Sequence, residues 1–231
     1  MKQSVITLHD NALLKGDTMH YALIATAILA LTCSVPAFAA DAAQTPDAHS
    51  RAAALVQQGK DLLDDSKYEE AKKVFREAAI LDPASVEAYD SLGKVLMLQL
   101  KYEEAAKEFT RAISLSPEDY TALFNRAVAL SHLEKWDEAL HDLTEVLRLY
   151  PKNSAAYNLR GIAYFEKGTL DEAISDFSKA IELNPGYAKA YNNRGIAYLR
   201  QGKTAEAERD FARSGEPRSG PTGTRGTKCA F

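Results

Sequence analysis

Arg126, Arg160 and Arg194 are each followed sixteen residues later by an aspartate: Asp142, Asp176 and Asp210. A guanidinium meets a carboxylate through two parallel N–H donors. Each pair therefore suits either a bridge between two antiparallel helices or, with the arginines turned outward, a ladder that grips an acidic ligand. Four acidic pairs, Glu69-Glu70, Glu103-Glu104, Asp137-Glu138 and Asp171-Glu172, carry the residue types of general acid–base catalysis. That chemistry needs two carboxyls facing one pocket with displaced pKa values. Acids that recur at the head of amphipathic segments instead suit exposed first turns, where negative charge opposes the helix dipole. His132 and His141 lack the third ligand that a metal site requires. Gln201-Gly202-Lys203-Thr204 ends like a phosphate-binding loop, yet Ala197 stands where that loop needs its first glycine. No Ser/His/Asp or Cys/His set is present, so the sequence predicts a protein that is not an enzyme, with no catalytic residue, metal or cofactor.

The elements that would position these side chains repeat. Pro83, Pro117, Pro151 and Pro185 are spaced 34 residues apart. Ala71, Ala105, Ala139, Ala173 and Ala207 keep that step, as do Phe75, Phe109, Leu143, Phe177 and Phe211. A fixed period of this size means stacked supersecondary units. Apolar residues three and four apart make each unit a pair of amphipathic helices. In the fourth unit the first helix is expected over about Ser154 to Lys167 and the second from Leu170 to Leu183. Gly168 supplies the turn between them, and Pro185 ends the second. Gly161 and Ala173 are small where the two helices must approach, while Tyr157, Tyr164 and Phe177 fill the space around them. No unit can bury its apolar side alone, so neighbours must stack.

These positions resemble the tetratricopeptide repeat, whose pattern runs aromatic, Leu-Gly, Tyr, Ala, Phe, Ala, Pro. The aromatic start is Tyr89, Tyr157 and Tyr191; the glycine is Gly59, Gly93, Gly161 and Gly195; the next large position is Leu62, Leu96, Leu130, Tyr164 and Tyr198. Departures are Ala127 for the glycine of the third unit, Gln58, Arg126, Arg160 and Arg194 for the leucine before it, and Ser219 for the last proline. The resemblance implies an all-α, right-handed solenoid of five units over 52–85, 86–119, 120–153, 154–187 and 188–214. It also implies a concave face, lined by the first helices, that holds a protein or peptide partner. Carried onto this chain, one row of that face is Lys94, Val128, Ile162 and Ile196. A second is Asp90, Phe124, Asn158 and Asn192, and a third is Met97, Ser131, Phe165 and Leu199, with Lys189 beside them. An apolar strip flanked by amides suits a peptide, because asparagine can bond both N–H and C=O. The Lys/Asn clamp with which some members hold an acidic chaperone tail is missing: Val56/Lys60, Asp90/Lys94 and Phe124/Val128 all fail its first pair.

Outside the repeats, Lys2 and Lys15 precede an apolar run from Ala22 to Leu31 that ends, after a polar break, in Ala37-Phe38-Ala39. This is the pattern of a secretory signal, expected over 1–39 with cleavage after Ala39; Met19 is a second candidate start. The alternative is an uncleaved membrane anchor, although a span needs about 20 apolar residues and this run is shorter. Export to a bacterial periplasm or cell envelope is the expectation, with a membrane-tethered assembly factor as the alternative. Residues 40–51 read as a linker and the Gly- and Pro-rich 215–231 as a disordered tail. With no capping helix, Ala207 and Phe211 are expected to be partly uncovered, so that this end either frays or pairs with a second copy in a symmetric dimer. The two cysteines, Cys33 and Cys229, lie outside the repeats and staple nothing within them. A composition 46% hydrophobic and 26% charged fits an ordinary fold, and the net charge of −4 argues against a nucleic-acid binder.

Overall fold

The computed structural model describes residues 46–215 and Cys229. The chain divides into a unit of 1–45 and a unit of 46–231. The expected signal segment, Cys33 and most of the tail lie outside the described residues.

Ten helices follow one another: α1 Pro46–Asp64, α2 Tyr68–Leu81, α3 Val86–Leu98, α4 Tyr102–Leu115, α5 Tyr120–His132, α6 Trp136–Leu149, α7 Ser154–Glu166, α8 Leu170–Leu183, α9 Ala188–Arg200 and α10 Thr204–Ser214. The fourth unit matches its expected limits to within a residue. The first helix does not: it begins at Pro46, inside the stretch expected to be linker. Ala48, Ala52 and Val56 fall four apart and are all buried, and the His49 ring pairs with Asp82 at 2.7 Å. A proline at the first helical position has no N–H to leave unsatisfied.

Short-range chemistry starts the three middle first helices. The side chains of Ser85, Asp119 and Asn153 accept from backbone N–H groups of α3, α5 and α7. The turn inside each unit passes through a left-handed residue, which is Ser66, Leu100 and Glu134 in the first three units and Gly168 and Gly202 in the last two. L-residues other than glycine resist this geometry by about 1–2 kcal/mol.

Packing within a unit follows the glycines. A Cβ added at Gly59, Gly93, Gly161 or Gly195 would lie 2.4, 2.6, 2.7 or 2.6 Å from the ring of Phe75, Phe109, Phe177 or Phe211. The third unit carries Ala127 in place of the glycine and Leu143 in place of the phenylalanine, and both are fully buried. Methyl and shortened side chain thus change together. Ala207 is also fully buried, against the expectation that it would be uncovered, because α10 turns it toward α9. Phe211 is half-buried.

Each helix touches the next, and each first helix also reaches the first helix of the following unit: α1 to α3, α3 to α5, α5 to α7 and α7 to α9. The backbones of the second helices do not approach one another in this way. The stack therefore curves with the first helices on its inner side. Its core falls into a front cluster around Phe75, Leu96 and Phe109, a rear cluster around Leu143, Ile162 and Phe177, and a small third one of Ala180, Ile181 and Ala190. No helix among the described residues is long and apolar enough to cross a membrane.

Candidate functional site: the concave face

The three Arg–Asp pairs settle as bridges within units. Arg126 Nε and Nη2 donate to Asp142 at 2.8 and 2.7 Å, Arg160 to Asp176 at 2.6 and 2.9 Å, and Arg194 to Asp210 at 2.7 and 2.8 Å. The aspartates are buried. Hydrogen bonds to them raise the arginine pKa values above the ordinary range, with burial opposing. Arg160 also lies over Tyr157 and Tyr164, and Arg194 over Tyr191 and Tyr198. Each guanidinium is thus held by the aspartate of its own unit rather than turned outward as a ladder for an outside acid.

The acidic heads of the second helices bind the following unit. Glu69 accepts from Gln99 at 2.9 Å, Asp171 accepts from Gln201 at 2.7 Å, and Asp137 accepts from Lys167. Among the described residues no group of His, Cys, Asp and Glu could hold a metal ion. His132 stacks on Tyr102, with ring centroids 4.3 Å apart. Gly202 forms the turn at φ +76°, as expected for a loop between two helices rather than a phosphate cradle.

The concave face divides in two. At the front, Asp90 pairs with Lys94 at 2.6 Å and accepts from Asn125 Nδ2 at 3.3 Å. Lys60 meets Glu87 at 2.5 Å, and Met97 is half-buried against the front cluster. At the rear, Phe124 and Val128 are half-buried and Leu199 is 44% exposed. Lys189 is exposed and Asn192 half-buried.

Five residues expected to face a partner are covered: Asp90, Asn158, Ile162, Phe165 and Ile196 are 9, 3, 1, 1 and 8% exposed. The inner sides of α7 and α9 pack on each other, and Asn158 accepts from the buried Asn193 at 3.1 Å, so its amide is already committed. Ser131 is covered as well, its hydroxyl donating to the Ala127 carbonyl at 2.8 Å. Ile162, Phe165 and Ile196 form the floor of a groove rather than its open surface.

Sequence reasoning missed the groups that shape this floor. Arg200 lies 4.7 Å from the centroid of the Phe165 ring, close enough for a cation–π contact. Asn125 and Asn193 occupy equivalent places two units apart and reach back to Asp90 and Asn158, a spacing visible in the period. Cys229, expected in a disordered tail, is only 7% exposed and belongs to the rear cluster with Ile162, Phe165 and Ile196. Burial pushes its thiol pKa far up; Glu166 acts in the same direction and Arg200 opposes.

Fold and inner face define a helix-pair solenoid that presents a groove. Family models described as tetratricopeptide repeat match residues 56–119 and 120–153, and one described as TPR repeat matches 163–202. Together they cover more than half of the chain, which belongs to the tetratricopeptide repeat family. No curated protein matches it. Among solved structures, the chain is similar to MamA 41-end from Desulfovibrio magneticus RS-1 at 24% identity and TM-score 0.68, covering 71% of this chain and 92% of that one. It is similar to YrrB, described as a TPR protein with an unusual peptide-binding site, at 26% identity and TM-score 0.62, covering 69% and 82%. Pseudomonas aeruginosa pilF matches at 23% identity and TM-score 0.64, covering 74% and 79%.

Proposed function

We propose that this protein is a non-catalytic scaffold that holds a peptide or protein segment against the rear half of its concave face, in the cell envelope. The observation that carries the reading is the surface formed by Phe124, Val128 and Leu199 above the floor of Ile162, Phe165 and Ile196. Apolar area removed from water there gives affinity, and the cations Lys189 and Arg200 beside it orient an extended chain. The likeness to YrrB, whose described property is a peptide-binding site, supports the same use of this fold. The envelope location rests on the apolar run and Ala37-Phe38-Ala39 ahead of the repeats.

A photo-crosslinking residue placed at Leu199 or Val128 in the native cell is expected to capture a discrete partner, whereas one at Lys107 on α4 is not. Equal capture from all three positions would overturn the groove assignment. Mass spectrometry of the purified native protein is expected to find a mature start at Ala40. A retained apolar segment would instead favour the membrane-tethered assembly factor. The half-buried Phe211 leaves the last unit able to meet a second copy. If it does so, Phe211→Glu converts a dimer to a monomer in sedimentation.

A further inference from the structure

One residue from outside the repeats lies in the rear cluster: Cys229. Thirteen residues separate Gly215, at the end of α10, from Cys229, and an extended chain of that length reaches roughly 45 Å. That is several helix diameters, ample to pass from α10 to the inner side of α7 and α9. Cys229 has made that return: it is buried in the cluster that contains Ile162, Phe165 and Ile196, within the electrostatic reach of Glu166 and Arg200. A single small side chain thus sits in this cluster, on the surface where a partner peptide would lie. Nothing in the repeat period requires this, because Cys229 lies outside it.

We infer that Cys229 acts as a tethered ligand of the groove, seated in cis in its floor. A peptide that presents a small apolar side chain at the same place displaces it. The inference rests on the proposed reading of the groove for its biological meaning, but the seating of the tail stands apart from it. A ligand tethered to its own site acts at up to roughly millimolar effective concentration. Outside peptides must exceed that competition, so the groove discriminates against weak binders.

The test uses the full chain with Cys33→Ser, which leaves Cys229 as its one thiol, and N-ethylmaleimide as probe. Cys229 is expected to react at least about tenfold more slowly than the thiol of a synthetic peptide of residues 224–231, because local opening must precede reaction. The rate is expected not to change with protein concentration. Millimolar peptide of the same sequence with alanine for the cysteine is expected to accelerate labelling. A thiol as reactive as the free peptide's overturns the inference, as does a slow thiol that the peptide does not release. A rate that slows as the protein is concentrated overturns the cis assignment, because the tail is then held by a second copy. Protection is read without any partner, so a groove that captures nothing in cells and a tail that is not seated give different results.

Discussion

The two front units and the three rear units share a fold but hold their helix pairs together differently. In the rear, the residue before each small helix-crossing position is an arginine, and it is bonded through two nitrogens to an aspartate of the facing helix. In front the same places hold Gln58 opposite Val74 and Leu92 opposite Glu108, and Leu92 is buried among apolar neighbours. The inner faces differ in the same direction. The front one is charged and pairs with itself through Lys60–Glu87 and Lys94–Asp90, while the rear one is apolar and carries Cys229. A buried ion pair adds little net stability but makes the loss of one partner severe. The rear units are therefore held by groups that tolerate change badly, and it is there that the groove must keep its shape.

The largest expected effect separates the two halves directly. Asp142→Ala leaves the Arg126 guanidinium, 20% exposed, without its buried partner, and is expected to lower stability by about 3 kcal/mol. Glu108→Ala, at the equivalent place in front, is expected to change it by less than about 1 kcal/mol, because Glu108 pairs with the exposed Arg111 of its own helix. Urea unfolding of both variants checks the contrast, and equal losses would erase it. The double change Arg126→Leu with Asp142→Val gives the third unit a front-type apolar contact. It is expected to recover most of the loss, and a double variant no more stable than Asp142→Ala would show that the rear depends on the charges themselves.

A smaller effect lies at the turns, where the boundary shifts by one unit. Leu100→Gly and Glu134→Gly remove non-glycine left-handed residues, at φ +59° and +58°. Each is expected to raise stability by about 0.5–1 kcal/mol, the glycine's own entropy offsetting part of the relief. Gly168→Leu is expected to do the reverse. Melting temperatures that move the same way for all three would refute the argument.

The smallest effect is a pH dependence at the meeting of the halves, where Tyr102 of α4 stacks on His132 of α5. Burial holds the folded pKa of His132 below its ordinary 6.5. The unfolded chain therefore binds this proton more readily than the folded chain does. The stability contributed is complete above pH 6.5 and declines as the pH falls through that value and below it. A melting series between pH 8 and pH 5 is expected to fall less steeply in His132→Gln than in the parent, and parallel curves would remove the effect.

The period made most of the fold legible. It located the fourth unit's helices, and the sixteen-residue step from arginine to aspartate carried the bridges, because both are relations within one unit. What the period could not show was what lies on top of a unit. Ile162, Phe165 and Ile196 have the spacing of a concave row, but whether such a row is open depends on the facing helix and on chain from outside the repeats. Asn158 was read as an amide for a peptide, and Asn193, one unit on, had already taken it. Pro46 to Arg51 was read as linker because those residues have no counterpart at the period, although Ala48 and Ala52 continue the apolar side of α1. Cys229 left no signal of its seat in a stretch of glycine and proline.

The glycine-to-phenylalanine fit has a consequence for how the chain finds its register as it emerges. The first helix of the first, second, fourth or fifth unit presents a bare backbone that would accept the ring of any of the other three, so a swapped pairing between two molecules would meet little steric objection. The third unit does not join in this exchange. The methyl of Ala127 would collide with a phenylalanine, and Leu143 would leave a void against a glycine. Placed in the middle of five near-equivalent units, this mismatched pair acts as an address: misaligned assemblies must either break it or bury a hole, and the correctly threaded chain alone avoids both.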